Sequence, residues 1–184
     1  MTSSPDLFAR VADVAAMLNL PILVIGGHAV NAYGYVRTTL DADFMVCDED
    51  LAAWRRGFES FGYRWVGQTA TFVKLDAPET DPPSLPVDIM LVNRQTFTKL
   101  IAEQRNLAFG SSVLNVPQPF HLIALKLHAL QNTSRARSGK DLFDILHLIE
   151  ICHIDTAGAE FNEVLQRHSN ADTQRLLHAH LQNR

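Results

Sequence analysis

The stretch Ile22-Leu23-Val24-Ile25-Gly26-Gly27-His28, followed by Arg37-Thr38-Thr39-Leu40-Asp41-Ala42-Asp43, decides the fold of this 184-residue chain. The apolar run 22–25 predicts a buried strand, and the two glycines after it predict a tight turn into a short helix. A second strand then carries Asp41 and Asp43. Because side chains alternate faces along a strand, these carboxylates project from the same side, with Cα atoms roughly 6–7 Å apart. The pattern predicts half of a hard-cation site on a rigid strand.

A third carboxylate belongs to a later predicted strand. Asp88 is the polar residue in the apolar run Val87-Asp88-Ile89-Met90-Leu91-Val92. A buried carboxylate is costly unless a cation, a metal or hydrogen-bond donors accompany it. Mg²⁺ prefers oxygen ligands and is usually completed by substrate phosphates. We therefore expect Asp41, Asp43 and Asp88 to hold Mg²⁺ or Mn²⁺. The alternative is that Asp43 and Asp88 pair with basic side chains: Arg37, Lys126 or Lys140.

The glycine turn predicts a backbone that can approach an anion. Gly26 and Gly27 leave N–H groups free for a phosphate where a helix begins. The turn lacks the G-x-G-x-x-G pattern of a dinucleotide site and the G-K-[ST] of a P-loop. Taken alone, the glycine pair is explained comparably well by a tight strand-to-helix turn. His28 either donates to a phosphate or is a structural histidine.

Composition indicates a globular chain with a substantial core. Hydrophobic residues make up 47% and charged residues 20%, with a net charge of -4. This balance argues against strong non-specific nucleic-acid binding. Cys47 and Cys152 each lie in an apolar segment, which predicts free thiols in a reducing compartment. No signal-peptide pattern and no apolar run of membrane-spanning length is visible, so we expect a cytoplasmic protein without a membrane partner.

Secondary-structure patterns change character near residue 115. Before it, strand and helix signals alternate and predict an α/β (α+β) core with a small mixed sheet over 1–115. A hairpin is expected to join 107–109 to 113–114. From 116 to 184 the chain reads as a helical region packed on that core, with helices at about 119–131, 140–152, 157–168 and 172–182.

Four segments resemble the nucleotidyltransferase superfamily of the DNA polymerase β type: Gly26-Gly27-His28, Arg37-Thr38-Thr39, Asp41-Ala42-Asp43 and Val87-Asp88-Ile89. The likeness is strongest to minimal and AbiEii-like bacterial members, some of which are toxins of toxin–antitoxin or phage-defence systems. In that family a G-G/S turn binds the triphosphate, D-x-D binds the metals, and a third acid lies on a neighbouring strand. This chain has His28 where Ser is common.

The second half of the chain extends the resemblance. Lys126 lies in the predicted helix Ala124–Ala129, and Arg137–Asp144 is similar to the basic loop and K-D-x-x-D segment of AbiEii-like members. An intrahelical pair between Lys140 and Asp144 is the structural alternative. The resemblance implies that the nucleotide is bound by Gly26, Gly27, His28, Arg37, Lys126 and Lys140.

The implied reaction transfers a nucleoside monophosphate from an NTP, such as ATP, to a hydroxyl of a protein or RNA acceptor. Asp41, Asp43 and Asp88 would be the catalytic and metal-binding residues, and Asp88 would also assist deprotonation of the acceptor. A cognate antitoxin is the further partner that the resemblance implies. Two alternatives stay open. One is a catalytically silent nucleotidyltransferase-like protein that acts through a protein partner. The other is a metal-dependent phosphohydrolase that uses the same acids.

Overall fold

The described part of the chain forms a seven-stranded mixed sheet and eight α-helices. The computed structural model describes residues 6–80, 83–131 and 139–182. The strands are β1 Leu23–Ile25, β2 Ala42–Cys47, β3 Arg64–Gln68, β4 Phe72–Asp76, β5 Val87–Val92, β6 Arg105–Phe109 and β7 Ser112–Val116. The helices are α1 Leu7–Leu18, α2 Gly26–Ala32, α3 Leu51–Ser60, α4 Arg94–Ala102, α5 Pro119–Leu130, α6 Lys140–Ile151, α7 Ala159–His168 and α8 Ala171–Gln182. The expected fold class is confirmed.

The order of the strands brings the acidic segments to the middle of the sheet. That order is β3-β4-β5-β2-β1-β7-β6. The pairs β2–β5 and β1–β7 are parallel, and the remaining neighbours are antiparallel. Asp88 lies opposite Asp43 on one side and opposite Lys74 on the other. Because opposed residues share a face, Lys74, Asp88 and Asp43 form one row across three strands.

The opposite face of the same strands belongs to the core. Val73, Ile89 and Phe44 are opposed across β4, β5 and β2, and each has 0% of its surface exposed. Phe44 contacts Phe58 of α3, with ring centroids 5.9 Å apart. Phe58 and Trp54 are also buried, as the apolar spacing of this helix predicts. The alternation of buried and half-buried residues along β5 therefore fixes which face receives Asp88.

The predicted hairpin between residues 107 and 114 is longer than expected and has a second role. β6 and β7 pair antiparallel over Arg105–Phe109 and Ser112–Val116, with Gly110 in the turn at φ 59°. β7 also pairs in parallel with β1 and so extends the main sheet. This pairing joins residues far apart along the chain, which short-range patterns do not report.

The described residues divide into two compact units. The first contains the residues up to Ala32 together with Arg37–Pro117, and the second contains Tyr33–Val36 together with the residues from Gln118 onward. In the second unit Tyr35 stacks on His147, with ring centroids 3.7 Å apart. Its helices bury one face each, through residues such as Leu127, Ile145, Leu148, Phe161 and Leu177.

Two further expectations concern cysteines and membranes. Cys47 is buried and Cys152 is half-buried, and both are free thiols. Within the described ranges, no helix has the length and apolar character needed to cross a membrane.

Candidate active site

The three predicted acids meet on one face of the sheet. Asp43 in β2 and Asp88 in β5 are opposed across a parallel ladder, and Asp41 directly precedes β2. One carboxylate oxygen from each of the three lies within 4.8 Å of the others. Asp41 is exposed, whereas Asp43 and Asp88 are half-buried. The convergence that the D-x-D spacing predicts is therefore observed.

This arrangement suits a hard divalent cation. Oxygen ligands at this mutual distance can surround one ion, and Asp41 is exposed on one side of the group. Mg²⁺ and Mn²⁺ both prefer carboxylate and water oxygens. Asp41, Asp43 and Asp88 are thus the residues that could hold such an ion.

A second group, Cys47, Asp48 and Glu49, has a similar spacing but a different chemistry. Burial raises the pKa of the Cys47 thiol, which disfavours the thiolate that metals bind. Arg94 donates to Glu49 Oε2 at 2.9 and 3.1 Å and to the Asp50 carboxylate at 3.0 Å. The glutamate is already held by a guanidinium, so this group fits a cation less well than the aspartates do.

Gly26 makes room for one of the aspartates. It is the first residue of α2, directly after β1, with φ 65°. A Cβ atom at this position would lie 1.9 Å from Asp43 Oδ2. Both the positive φ and this close approach exclude a side chain. Gly26 therefore lies against the Asp43 side chain of the acidic group, a contact that the sequence pattern does not predict.

Gly27 contacts the loop that leads into β2. A Cβ atom there would lie 2.7 Å from Thr39 Oγ1 and 3.1 Å from Arg37 Nη1. The Thr39 hydroxyl donates to Asp41 Oδ1 at 3.2 Å. Asn31 of α2 fixes the loop backbone, because its side chain accepts from Arg37 N at 3.1 Å and donates to Arg37 O at 2.8 Å. Thr39 and Asn31 are site-shaping residues that sequence reasoning missed.

His28 is packed as a largely apolar residue in this unit. Its ring lies edge-on to Phe8 of α1, with centroids 4.9 Å apart. Burial lowers its pKa, although the carboxylates of Asp41 and Asp6 oppose that shift. Nε2 is buried and has no hydrogen-bond partner among the described residues. A neutral imidazole is favoured, and contact with a phosphate stays a prediction.

Lys74 is the cation next to the third acid. Its Nζ lies 3.6 Å from Asp88 Oδ2, and the two side chains are 69% and 22% exposed. The strand pattern of β4 contains the signal, since Lys74 alternates with the buried Val73 and Leu75 and so faces the other way. The sequence does not distinguish this lysine from other exposed lysines, because its contact with Asp88 depends on the pairing of β4 with β5.

Lys126 is held by two acids of its own unit. Its Nζ lies 2.9 Å from Asp141 Oδ1 and 2.7 Å from Asp144 Oδ2. The side chain of Lys126 is 11% exposed, and those of Asp141 and Asp144 are 9% and 0% exposed. A partner for this lysine is what its apolar helix predicts. Lys140 is exposed at the start of α6, and Arg137 lies outside the described residues.

Solved structures place this fold among nucleotidyltransferases. The crystal structure of ANT(2'')-Ia in complex with adenylyl-2''-tobramycin aligns with a TM-score of 0.64 at 16% identity, over 88% of this chain and 93% of that one. The lincomycin-bound lincosamide antibiotic adenylyltransferase LnuA aligns with a TM-score of 0.56 at 15% identity, over 80% and 99%. An antigenic nucleotidyltransferase-like protein from Paracoccidioides brasiliensis aligns with a TM-score of 0.56 at 17% identity, over 79% and 74%.

Sequence comparison identifies the family. No curated protein sequence matches the chain. The family described as "Nucleotidyl transferase AbiEii toxin, Type IV TA system" matches residues 18–183, which include both the acidic site and the helical unit. With its fold, its converging aspartates and this match, the chain belongs to the AbiEii family of nucleotidyltransferases.

Proposed function

We propose that the protein is a metal-dependent enzyme that transfers a nucleoside monophosphate from an NTP to a hydroxyl. The observation that carries this proposal is the approach of Asp41, Asp43 and Asp88 oxygens to within 4.8 Å of one another. Membership of a nucleotidyltransferase family supports the reaction class. Dependence on Mg²⁺ or Mn²⁺ is inferred from the donor set.

The three aspartates have distinct roles in this proposal. Asp41 holds the cation from the residue just before β2, Asp43 from β2, and Asp88 from β5. A bound divalent cation would neutralise charge on the phosphates and make the acceptor hydroxyl more acidic. Asp88 takes the proton from that hydroxyl, whose oxygen then attacks the α-phosphorus. The bond from the α-phosphorus to the bridging oxygen breaks, and pyrophosphate leaves. The protein contributes mainly positioning and electrostatic stabilisation.

The remaining predicted residues are assigned to the triphosphate. Gly26, Gly27 and His28 lie at the β1–α2 junction, next to the acids, and are proposed to line the β- and γ-phosphates. Arg37 has its guanidinium beside Gly27, on the same loop as Asp41. Lys126 and Lys140 of the helical unit are proposed to contribute positive charge to the nucleotide.

The acceptor class is open between a protein side chain and an RNA end. The titles of the similar structures describe an adenylylated aminoglycoside with ANT(2'')-Ia and lincomycin with LnuA. The family description favours a toxin role for this chain, with a cognate antitoxin as its partner. A neighbouring antitoxin-like reading frame, and relief of growth arrest when that frame is co-expressed, would support the toxin role.

Labelled nucleotides test the reaction. Purified protein is incubated with ATP, CTP, GTP or UTP, labelled at the α- or the γ-phosphate, with Mn²⁺ or Mg²⁺ and host RNA and protein as acceptors. Transfer predicts that α-label is retained on a macromolecule and that γ-label is released as pyrophosphate. Asp43→Asn should abolish the retained label. Asp76→Asn should preserve it, because Asp76 is an exposed acid of β4 that pairs with Arg64.

Other outcomes distinguish the alternatives. Release of γ-label as inorganic phosphate without retained α-label would indicate a phosphohydrolase. Binding without turnover of any nucleotide would indicate a silent protein that acts through a partner. Either result would contradict the proposed transfer.

A further inference from the structure

Lys74 stands at the outer end of the row that contains two of the site aspartates. It is opposed to Asp88, and Asp88 is opposed to Asp43. Its ammonium lies 3.6 Å from Asp88 Oδ2. The oxygen atoms of Asp88, Asp43 and Asp41 lie within 4.8 Å of one another. An ammonium and a divalent cation would therefore both be attracted to the same carboxylate.

The lysine side chain can leave this carboxylate without disturbing the sheet. Lys74 is 69% exposed, whereas Asp88 is 22% exposed. A lysine has a flexible four-carbon stem and a compact charge, so it can move into solvent while its strand stays in place. The backbone of Asp88 is held in β5, which pairs with β4 on one side and β2 on the other. Lys74 can therefore release Asp88 by movement of its exposed side chain.

A neighbouring ion pair provides the comparison. Arg64 and Asp76 pair across β3 and β4 with an N···O distance of 3.6 Å, and their side chains are 76% and 54% exposed. This pair has the same N···O distance as the Lys74–Asp88 pair, and its Asp76 lies on β4, as Lys74 does. Neither of its members belongs to the acidic group of Asp41, Asp43 and Asp88. A comparison of variants of Lys74 and Arg64 therefore distinguishes a general effect of surface charge on cation binding from an effect specific to the acidic site.

We propose that Lys74 is a positioning residue of the acidic site. Its ammonium holds the Asp88 carboxylate when no divalent cation is present, and it opposes the binding of that cation until it is displaced. The inference rests on the proposed function, because it requires Asp88 to be a cation ligand. The ammonium and the divalent cation repel each other, so the lysine weakens cation binding while it keeps Asp88 in place.

Mn²⁺ binding tests this role independently of activity. Electron paramagnetic resonance of free Mn²⁺ gives the dissociation constant for the parent and for Lys74→Met, Lys74→Arg and Arg64→Met. Lys74→Met should bind Mn²⁺ about two- to fivefold more tightly, which is the range expected for an exposed charge. Lys74→Arg keeps the charge and should match the parent. Arg64→Met should match the parent as well, and thermal melting checks that each variant is folded.

The outcomes separate the inference from the proposed function. Tighter Mn²⁺ binding by Lys74→Met alone supports the role of Lys74. If the parent binds Mn²⁺, Asp43→Asn does not, and Lys74→Met binds as the parent does or more weakly, Lys74 is an ordinary surface lysine and the inference is overturned. If the parent does not bind Mn²⁺, or Asp43→Asn binds it equally well, the metal site and the inference both fail.

Discussion

Two clusters of aspartates, one in each compact unit, differ in how their charge is balanced. In the helical unit Lys126 contacts Asp141 and Asp144 at 2.9 and 2.7 Å, and all three side chains are at most 11% exposed. In the α/β unit Asp41, Asp43 and Asp88 gather within 4.8 Å, with an ammonium 3.6 Å from Asp88 and one aspartate exposed. The first cluster is closed and internally paired, and the second is open to solvent.

The difference shows how similar sequence signals lead to different chemistry. D-x-D places two acids two residues apart along an extended segment, and K-D-x-x-D places two acids three residues apart, on successive turns of a helix. Each charge of a buried ion pair requires the opposite charge beside it, because removal of one member leaves an uncompensated buried charge and destabilises the folded protein. A half-exposed group of like charges instead gains from a cation supplied by solvent. We call Lys126, Asp141 and Asp144 the helical cluster, and Asp41, Asp43 and Asp88 the strand cluster. Stability should therefore depend on the helical cluster, and ligand binding should depend on the strand cluster.

Loss of Lys126 should have the largest effect on stability. Lys126→Met leaves Asp141 and Asp144 buried without their ammonium, and we expect the free energy of unfolding to fall by about 3–5 kcal/mol. Lys140→Met, at an exposed position, should change it by less than about 0.5 kcal/mol. Denaturant titration measures both.

The same cluster can be dismantled completely. Adding Asp141→Asn and Asp144→Asn to Lys126→Met should restore most of the lost stability, because no buried charge then remains. A Lys126→Met protein as stable as the parent would show that the ion pairs are not structural. If the restored triple variant also retains transfer activity, the predicted contact of Lys126 with the nucleotide is wrong.

A methyl group at the glycine turn should affect both stability and the strand cluster. Gly26→Ala forces a residue with Cβ into φ 65° and against Asp43 Oδ2. We expect a loss of about 1–3 kcal/mol in unfolding free energy, together with weakened Mn²⁺ binding. Gly67→Ala is the matched control, because a Cβ there meets nothing within 4 Å. If the two variants had the same unfolding free energy and the same Mn²⁺ affinity, the contact between Gly26 and Asp43 would not matter for the site.

The hydroxyl beside Asp41 should have a smaller effect. Thr39→Val keeps the branched shape but removes the donor to Asp41 Oδ1. Because the hydrogen bond is exposed, we expect a stability change of about 0.5–1.5 kcal/mol at most, and a severalfold weaker Mn²⁺ affinity. Thr38→Val, one residue earlier and exposed, should leave that affinity unchanged. An unchanged affinity in Thr39→Val would mean that Asp41 does not need this support.

The smallest effect concerns a half-buried histidine in each unit, His28 and His168. Burial lowers the pKa of His28 and of His168 below the usual value of 6.5, and Arg167 and nearby histidines contribute to the shift of His168. The unfolded chain then binds protons that the folded protein does not. Stability contributed by the neutral rings is complete above pH 6.5 and falls as the pH drops towards the folded pKa values.

Thermal melting between pH 7.5 and pH 5 tests this expectation. The melting temperature of the parent should decline below about pH 6.5. His28→Asn and His168→Asn should each show a shallower decline, and the double variant a shallower one still. A parallel decline in all four proteins would assign the pH dependence to other groups.

Much of the strand cluster could be predicted from sequence because its determinants are local. The D-x-D spacing predicts that Asp41 and Asp43 share one side, although β2 begins only at Ala42, and an apolar run singles out Asp88. The cross-strand partners could not be predicted, since register joins distant segments. Strand register determines three contacts: Lys74 lies opposite Asp88, β7 pairs with β1, and Asp43 lies close to Gly26. The donors of Thr39 and Asn31 depend on loop geometry, which residue spacing does not specify.

We infer that the group of Asp41, Asp43 and Asp88 is arranged to bind a cation and that the group of Lys126, Asp141 and Asp144 is not. Melting of Asp43→Asn and Asp144→Asn, without metal and with Mn²⁺, tests it directly. Without metal, Asp43→Asn should be as stable as the parent or slightly more so, because repulsion among the acids is relieved, whereas Asp144→Asn should be less stable. With Mn²⁺, the parent and Asp144→Asn should gain stability and Asp43→Asn should not. Equal stabilisation of Asp43→Asn by Mn²⁺, or a large loss of stability in its metal-free form, would contradict a role for Asp43 as a cation ligand.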